Sequence, residues 1–233
     1  MIFQPKILPA GDQAILIELG REIKPEINQQ VHYLGHLLEK RAPLGIKEII
    51  PSYSSLLIYY DPAQISFREI SDLMQNFLPE NKPKENNPPV IKEIPVVYGG
   101  EYGPDLEFVA QFHGLTVEEV IKLHTSQTYL VYVVGFSPGF AAMGTVPENI
   151  QTPRLPTPRT KVPAGSVGIG GKQTGIYAVE SPGGWRLIGR TPLTLFDLNN
   201  EPPAFFKAGD YARFFAVAPE DFSFYQKQKR NFF

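Results

Sequence analysis

Six basic side chains fall between Gln151 and Arg190: Arg154, Arg159, Lys161, Lys172, Arg186 and Arg190, with Glu180 the one acid among them. That stretch is net +5 in a chain whose formal net charge is −2, which leaves −7 for the remainder. Glycines are interleaved with these cations, at Gly165, Gly168, Gly170, Gly171, Gly175, Gly183, Gly184 and Gly189. Glycine has no Cβ, so its backbone N–H can approach a ligand closely and turn inward. Concave groups of such donors beside Arg and Lys suit carboxylates and phosphates. The chemistry favoured by this pattern is the holding and polarising of a small anion. A plainer alternative is that the glycines close tight hairpins and the cations sit in water, and composition alone does not choose between the two.

Sharper motifs fail on single residues. Gly168-Ile-Gly-Gly-Lys172 hints at a phosphate-binding loop, but Ser166 stands where that motif needs its first glycine and Gln173 where it needs Ser or Thr to hold magnesium. Gly135-Phe-Ser-Pro-Gly139 matches the nucleophile elbow of hydrolases. That elbow uses the backbone N–H of the residue after the serine, and here the residue is Pro138, which has none. Ser137 therefore reads as a turn residue. His32 and His36 are spaced as a metal pair on a helix but have no third ligand nearby, so they read as an exposed face. His113 and His124 read as surface or capping groups of short helices. No histidine follows His124 and the chain has no cysteine. Thiolate and His-based catalysis are thus missing from the densest stretch, and no catalytic base is assigned.

The elements that must position these side chains fall into two halves. In the first, Ala14–Leu19 reads as a strand. Pro25–Lys40 reads as a helix, with Ile27, Val31, Leu34 and Leu38 on one stripe. Ile46–Ile50 and Leu56–Tyr60 read as two strands. Ser66–Leu78 is a second helix opened by a Ser66/Glu69 capping box. This order predicts an α+β N-terminal domain over residues 1–80, helices layered on an antiparallel sheet. Pro79–Pro89 holds no large apolar residue, which predicts an exposed Pro/Asn-rich linker over 81–92. Beyond it, over 93–233, come a strand at Ile94–Tyr98 and short helices near Asp105–Phe112 and Thr116–His124, the latter with a Thr116/Glu119 capping box. A strand over Tyr129–Val134 and then short strands broken by Gly and Pro predict a mainly β domain, closed or folded over on itself.

Hydrophobic residues make up 42% and charged residues 20% of the 233 residues, enough apolar content for a packed core. A net charge of −2 argues against nucleic acid as a partner. No apolar run approaches the roughly 20 residues of a membrane helix, and Lys6, Asp12 and Glu18 interrupt the first 19 residues, so no secretory signal is visible. The expected location is the cytoplasm.

Seven segments carry a resemblance in order and spacing: Gly135-Phe-Ser-Pro-Gly-Phe140, Pro153-Arg154, Pro158-Arg159, Val162-Pro-Ala-Gly-Ser-Val167, Gln173-Thr-Gly-Ile-Tyr177, Ser181-Pro-Gly-Gly-Trp185 and Ile188-Gly-Arg-Thr-Pro192. Across Ile94–Phe215 the sequence resembles the allophanate hydrolase subunit 1 family. That family includes the B subunit of bacterial 5-oxoprolinase, a KipI-like inhibitor of a sensor histidine kinase, and part of urea carboxylase. The resemblance implies a cyclophilin-like β-barrel for the second half. It implies a paired C subunit, a third (A) subunit, and ATP used by the complex to activate 5-oxoproline for hydrolysis to glutamate. Two other functions stay open: docking on a histidine kinase, and, ranked lower, urea or allophanate breakdown. The expected anion-binding residues are Arg154, Arg159 and Lys161 for charge, and Ser166, Gln173 and Thr174 for hydrogen bonds. Tyr177 and Trp185 are expected as walls and Arg190 as a bidentate clamp. A core position for Trp185 and a locally bonded strand position for Tyr177 are the competing readings. No metal is expected.

Overall fold

A computed structural model describes residues 4–41, 43–78 and 91–227. The chain divides into two compact units, Met1–Pro88 and Pro89–Phe233. The expected linker lies outside the described residues, apart from Ile91 and Lys92 at its end.

The first unit is a four-stranded antiparallel sheet with two helices. Its strands are β1 (Lys6–Pro9), β2 (Ala14–Glu18), β3 (Ile46–Pro51) and β4 (Ser55–Tyr60), in the order β1-β2-β4-β3. Helix α1 (Pro25–Arg41) buries Asn28, Val31, Leu34, Gly35 and Leu38, the expected stripe with Ile27 half-exposed at its margin. Asn28 Nδ2 donates to Ser52 O at 3.0 Å and so ties the helix to the β3–β4 turn. Helix α2 (Phe67–Phe77) starts at Ser66, whose capping box with Glu69 is fully formed. Strand β1 has no alternating apolar pattern. It exists because it pairs with β2, Ile7 opposite Ile17.

The second unit is a closed seven-stranded barrel. In chain order its strands are β5 (Ile91–Tyr98), β6 (Thr128–Val134), β7 (Ala141–Gly144), β9 (Ser166–Gly170), β10 (Gln173–Ile176), β12 (Arg186–Arg190) and β13 (Tyr211–Ala216). Around the barrel the order is β10-β7-β6-β13-β5-β12-β9. A separate two-stranded sheet pairs β8 (Arg159–Val162) with β11 (Ser181–Gly183). Helices α3 (Leu106–His113) and α4 (Val117–Thr125) contribute Val109 and Val120 to the same core as Ile94, Val131, Val167, Ile169, Ile176 and Ile188. Strand β5 begins at Ile91, three residues before the expected Ile94. Parallel pairing with β13 extends it through Lys92 and Glu93, where Glu93 meets Arg213. No helix among the described residues is long and apolar enough to cross a membrane.

Candidate functional site

Side chains alternate between the two faces of a strand, and this decides what each expected residue can touch. On β9 and β10 the barrel core receives Val167, Ile169 and Ile176. Ser166, Gly168, Gly170, Gln173, Gly175 and Tyr177 therefore face outward. Ser166 sits directly opposite Arg190 on β12. Tyr177 N–H donates to Ser166 O at 2.9 Å, which puts Tyr177 opposite Ser166 on the other side. The Phe140 ring is 5.0 Å from the Tyr177 ring. Phe140, Tyr177, Ser166 and Arg190 thus form one row across the outer wall. The turn at Gly165 (φ +82) locks its end: Gly165 N–H donates to Tyr177 O at 2.7 Å and its carbonyl accepts from Thr191 N–H at 2.9 Å.

Behind that row the wall is bare glycine, and Trp185 lies on it. A Cβ on Gly170 would fall 2.6 Å from Trp185 Cδ2, and one on Gly175 would fall 3.0 Å from Cζ3. The indole is buried, its ring 5.4 Å from Phe140 in an edge-on contact. Trp185 is thus a buried aromatic packed on the outer face of the barrel wall, outside the core cluster. Its other face is covered by Arg154, whose guanidinium carbon is 5.5 Å from the ring centroid, a cation–π geometry. Tyr177 is also buried. Burial pushes its hydroxyl pKa up, while a backbone contact from Trp185 and the charges of Arg154 and Arg159 pull the other way.

Arg159 is not a free cation. Its Nη2 donates to Asp105 Oδ1 at 2.8 Å. Asp105 lies at the start of α3 and is buried, and its other oxygen accepts Leu187 N–H at 2.7 Å. Arg159 is thereby committed to holding β8 against β12. Lys161 is exposed and 3.2 Å from Glu180, a surface ion pair screened by water. Arg186 donates to Pro153 O and its guanidinium carbon lies 3.8 Å from the Phe108 ring centroid. Gln173 faces outward with a buried, unpartnered Nε2, but beside Gly144 and away from Arg190.

Thr174 points the opposite way. Its Oγ1 donates to Gly168 O at 3.1 Å and so accepts from His124 Nε2 at 2.8 Å. Tyr98 O–H then donates to His124 Nδ1 at 2.7 Å. Thr174 is corrected from ligand-binding residue to core residue, because odd and even positions of β10 face opposite sides. His124 is corrected from surface group to fully buried core group. Burial lowers its pKa to about 3, so the ring is neutral with its proton on Nε2. His113 is half-buried, 3.1 Å from Thr152 Oγ1.

The structure therefore brings together Arg154, Arg159, Tyr177 and Trp185, with Ser166 and Arg190 in the adjoining row, and leaves Lys161, Gln173 and Thr174 apart. The sequence reading missed Asp105, Phe140 and Tyr102. Phe140 carried a signal, since it ends the Gly135–Phe140 motif. Asp105 carried none, because its partners lie 54 and 82 residues away. Tyr102, 5.5 Å beneath the Arg190 guanidinium, reaches it only through the β5–β12 pairing.

Residues 5–206 match the family profile described as carboxyltransferase domain, subdomain C and D. The B subunit of the Bacillus subtilis (strain 168) 5-oxoprolinase is 40% identical over 98% of this chain and 99% of that protein. The crystal structure of PH0987 from Pyrococcus horikoshii is 48% identical over 93% of this chain and all of that one, with a TM-score of 0.55. The crystal structure of TTHA0988 is 34% identical over 88% of this chain with a TM-score of 0.78, and this chain spans 40% of its length.

Proposed function

The chain belongs to the family of carboxyltransferase domains, subdomains C and D, together with the B subunits of 5-oxoprolinases, and from this we propose that it is the B subunit of an ATP-dependent 5-oxoprolinase. In this reading it acts in the cytoplasm with a paired C subunit and a third, A subunit. The complex opens the lactam of 5-oxo-L-proline with water to give L-glutamate. The barrel, of the cyclophilin-like type, supplies a binding wall for the anionic substrate. The observation that carries the reading is the likeness, over nearly the whole of both chains, to a protein of that name.

The site supports a role in binding more than in chemistry. Its cations and hydroxyls hold negative charge, and among the described residues no His or Cys stands beside Arg190, Ser166 or Tyr177 to move a proton. His124 is buried behind the wall, bonded at both ring nitrogens. The glycine stretch of β9 does not fit a nucleotide phosphate, because the Trp185 ring occupies the space beside Gly170 that a phosphate would need. We propose that another subunit holds ATP.

The test is reconstitution. This chain, mixed with its C and A subunits, ATP and 5-oxoproline, should release glutamate, and leaving this chain out should abolish release. Unchanged release without it would end the assignment.

A further inference from the structure

We infer that Arg190 and Ser166 form the anchor for the substrate's carboxylate, an inference that rests on the proposed 5-oxoprolinase role. Buried polar groups in folded proteins nearly always have hydrogen-bond partners, and the exceptions point to a missing water, ion or ligand. Arg190 Nε and Ser166 Oγ are both buried and both without a partner. They belong to side chains directly opposite one another on β12 and β9, where Cβ atoms stand about 4.5–5.5 Å apart. The two unmet groups therefore belong to paired residues on neighbouring strands of the outer wall.

Arg190 shares with Arg154, Lys172 and Arg186 the lack of an acid partner among the described residues, and differs from them in its buried, unpartnered Nε. Arg159 is answered by Asp105 and Lys161 by Glu180. Arg190 is half-buried, and among the described residues no acid lies within ion-pairing distance of it. Its guanidinium stacks over Tyr102, a neutral ring 5.5 Å away. A partly desolvated cation without an anion is costly, and a bound carboxylate would remove that cost. The planar guanidinium fork matches a carboxylate in two parallel hydrogen bonds. One oxygen would take the edge shared by Nε and the Ser166 hydroxyl, and the other a terminal nitrogen. Tyr177, on the far side of Ser166, closes the row. Arg154 and Arg159, committed to Trp185 and Asp105, shape the wall and do not contact the carboxylate.

The experiment uses the complex reconstituted from this chain and its partner subunits. It compares 5-oxoproline with 2-pyrrolidone, the same lactam ring without the carboxylate. Arg190→Ala should lower kcat/KM for 5-oxoproline by about 100-fold, as expected for losing two charge-assisted hydrogen bonds. It should change 2-pyrrolidone turnover by less than about threefold. Arg190→Lys, which keeps the charge and the aliphatic stem, should recover only part of the loss. Ser166→Ala should follow in the same direction by about tenfold. Equal losses on both substrates, or none on 5-oxoproline, overturn the anchor while leaving the subunit role intact. If the wild-type complex releases no glutamate, the subunit role falls, and calorimetry with cyclopentanecarboxylate and cyclopentanol decides the anchor. Binding of the carboxylate alone, lost in Arg190→Ala and weakened in Arg190→Lys, supports it. Equal binding by wild type and variants, or no binding of the carboxylate, overturns it.

Discussion

Arg159 and Asp105 are joined by a 2.8 Å ion pair in which the acid is 9% exposed and the cation 29%. The second oxygen of Asp105 holds the backbone of β12 at Leu187. A residue expected to greet a ligand is thus part of the frame that carries the site.

Removing Arg159 should therefore damage the fold before it damages binding. Arg159→Ala leaves a buried carboxylate uncompensated, at a cost of about 3 kcal/mol. Asp105→Asn in the same chain removes the orphaned charge and should recover part of that loss. Urea denaturation of the two single variants and the double variant measures the coupling. Additive losses would mean that the pair does not act as a unit.

The glycine floor makes a prediction with its own reporter, since Trp185 is the only tryptophan. Gly170→Ala places a methyl group 2.6 Å from the indole carbon Cδ2 and must push the ring outward. Overpacking of this kind costs about 1–3 kcal/mol. Indole emission should shift to the red and the melting temperature should fall. An unchanged emission maximum would show that the ring does not rest on this floor.

His124 sets a pH dependence. Burial holds its folded-state pKa at about 3, against about 6.5 in the unfolded chain. Between those values the unfolded chain takes up a proton that the folded chain refuses. The neutral ring's contribution is complete above about pH 6.5 and is lost as the pH falls towards 3, at up to about 1.4 kcal/mol per pH unit. The difference in urea midpoint between wild type and His124→Gln should shrink as the pH is lowered from 7.5 to 5. A constant difference would contradict a neutral buried ring.

The Thr116/Glu119 capping box starts the helix that delivers His124 to the core. Thr116→Ala should cost about 1 kcal/mol. Adding Glu119→Ala should cost about 1 kcal/mol more, because Glu119 Oε2 accepts from the Thr116 backbone N–H, which the first substitution leaves in place. Thermal denaturation of the pair and the single variants checks this.

Both capping boxes, at Ser66 and Thr116, were legible in the residues, as were the Val31–Leu34–Leu38 stripe and the turn-broken β character of the second half. Each depends on neighbours within about four positions along the chain, a range over which helix caps and apolar stripes act. The same range explains why Arg154, Trp185, Tyr177 and Ser166 could be picked out as a group: their motifs are local.

Which of them can meet a ligand was a different matter. A strand turns alternate side chains to opposite faces, so Thr174 went inward to His124 while Tyr177, three residues on, went outward. Arg159 was taken up by an acid 54 residues earlier, and Arg190 was left unanswered beside Ser166 only because β12 pairs with β9 in that register. Local sequence therefore set the elements and the chemical inventory. Strand pairing over long separations decided which charges were paired within the fold and which were not, because a charge is cancelled by whatever folding brings alongside it.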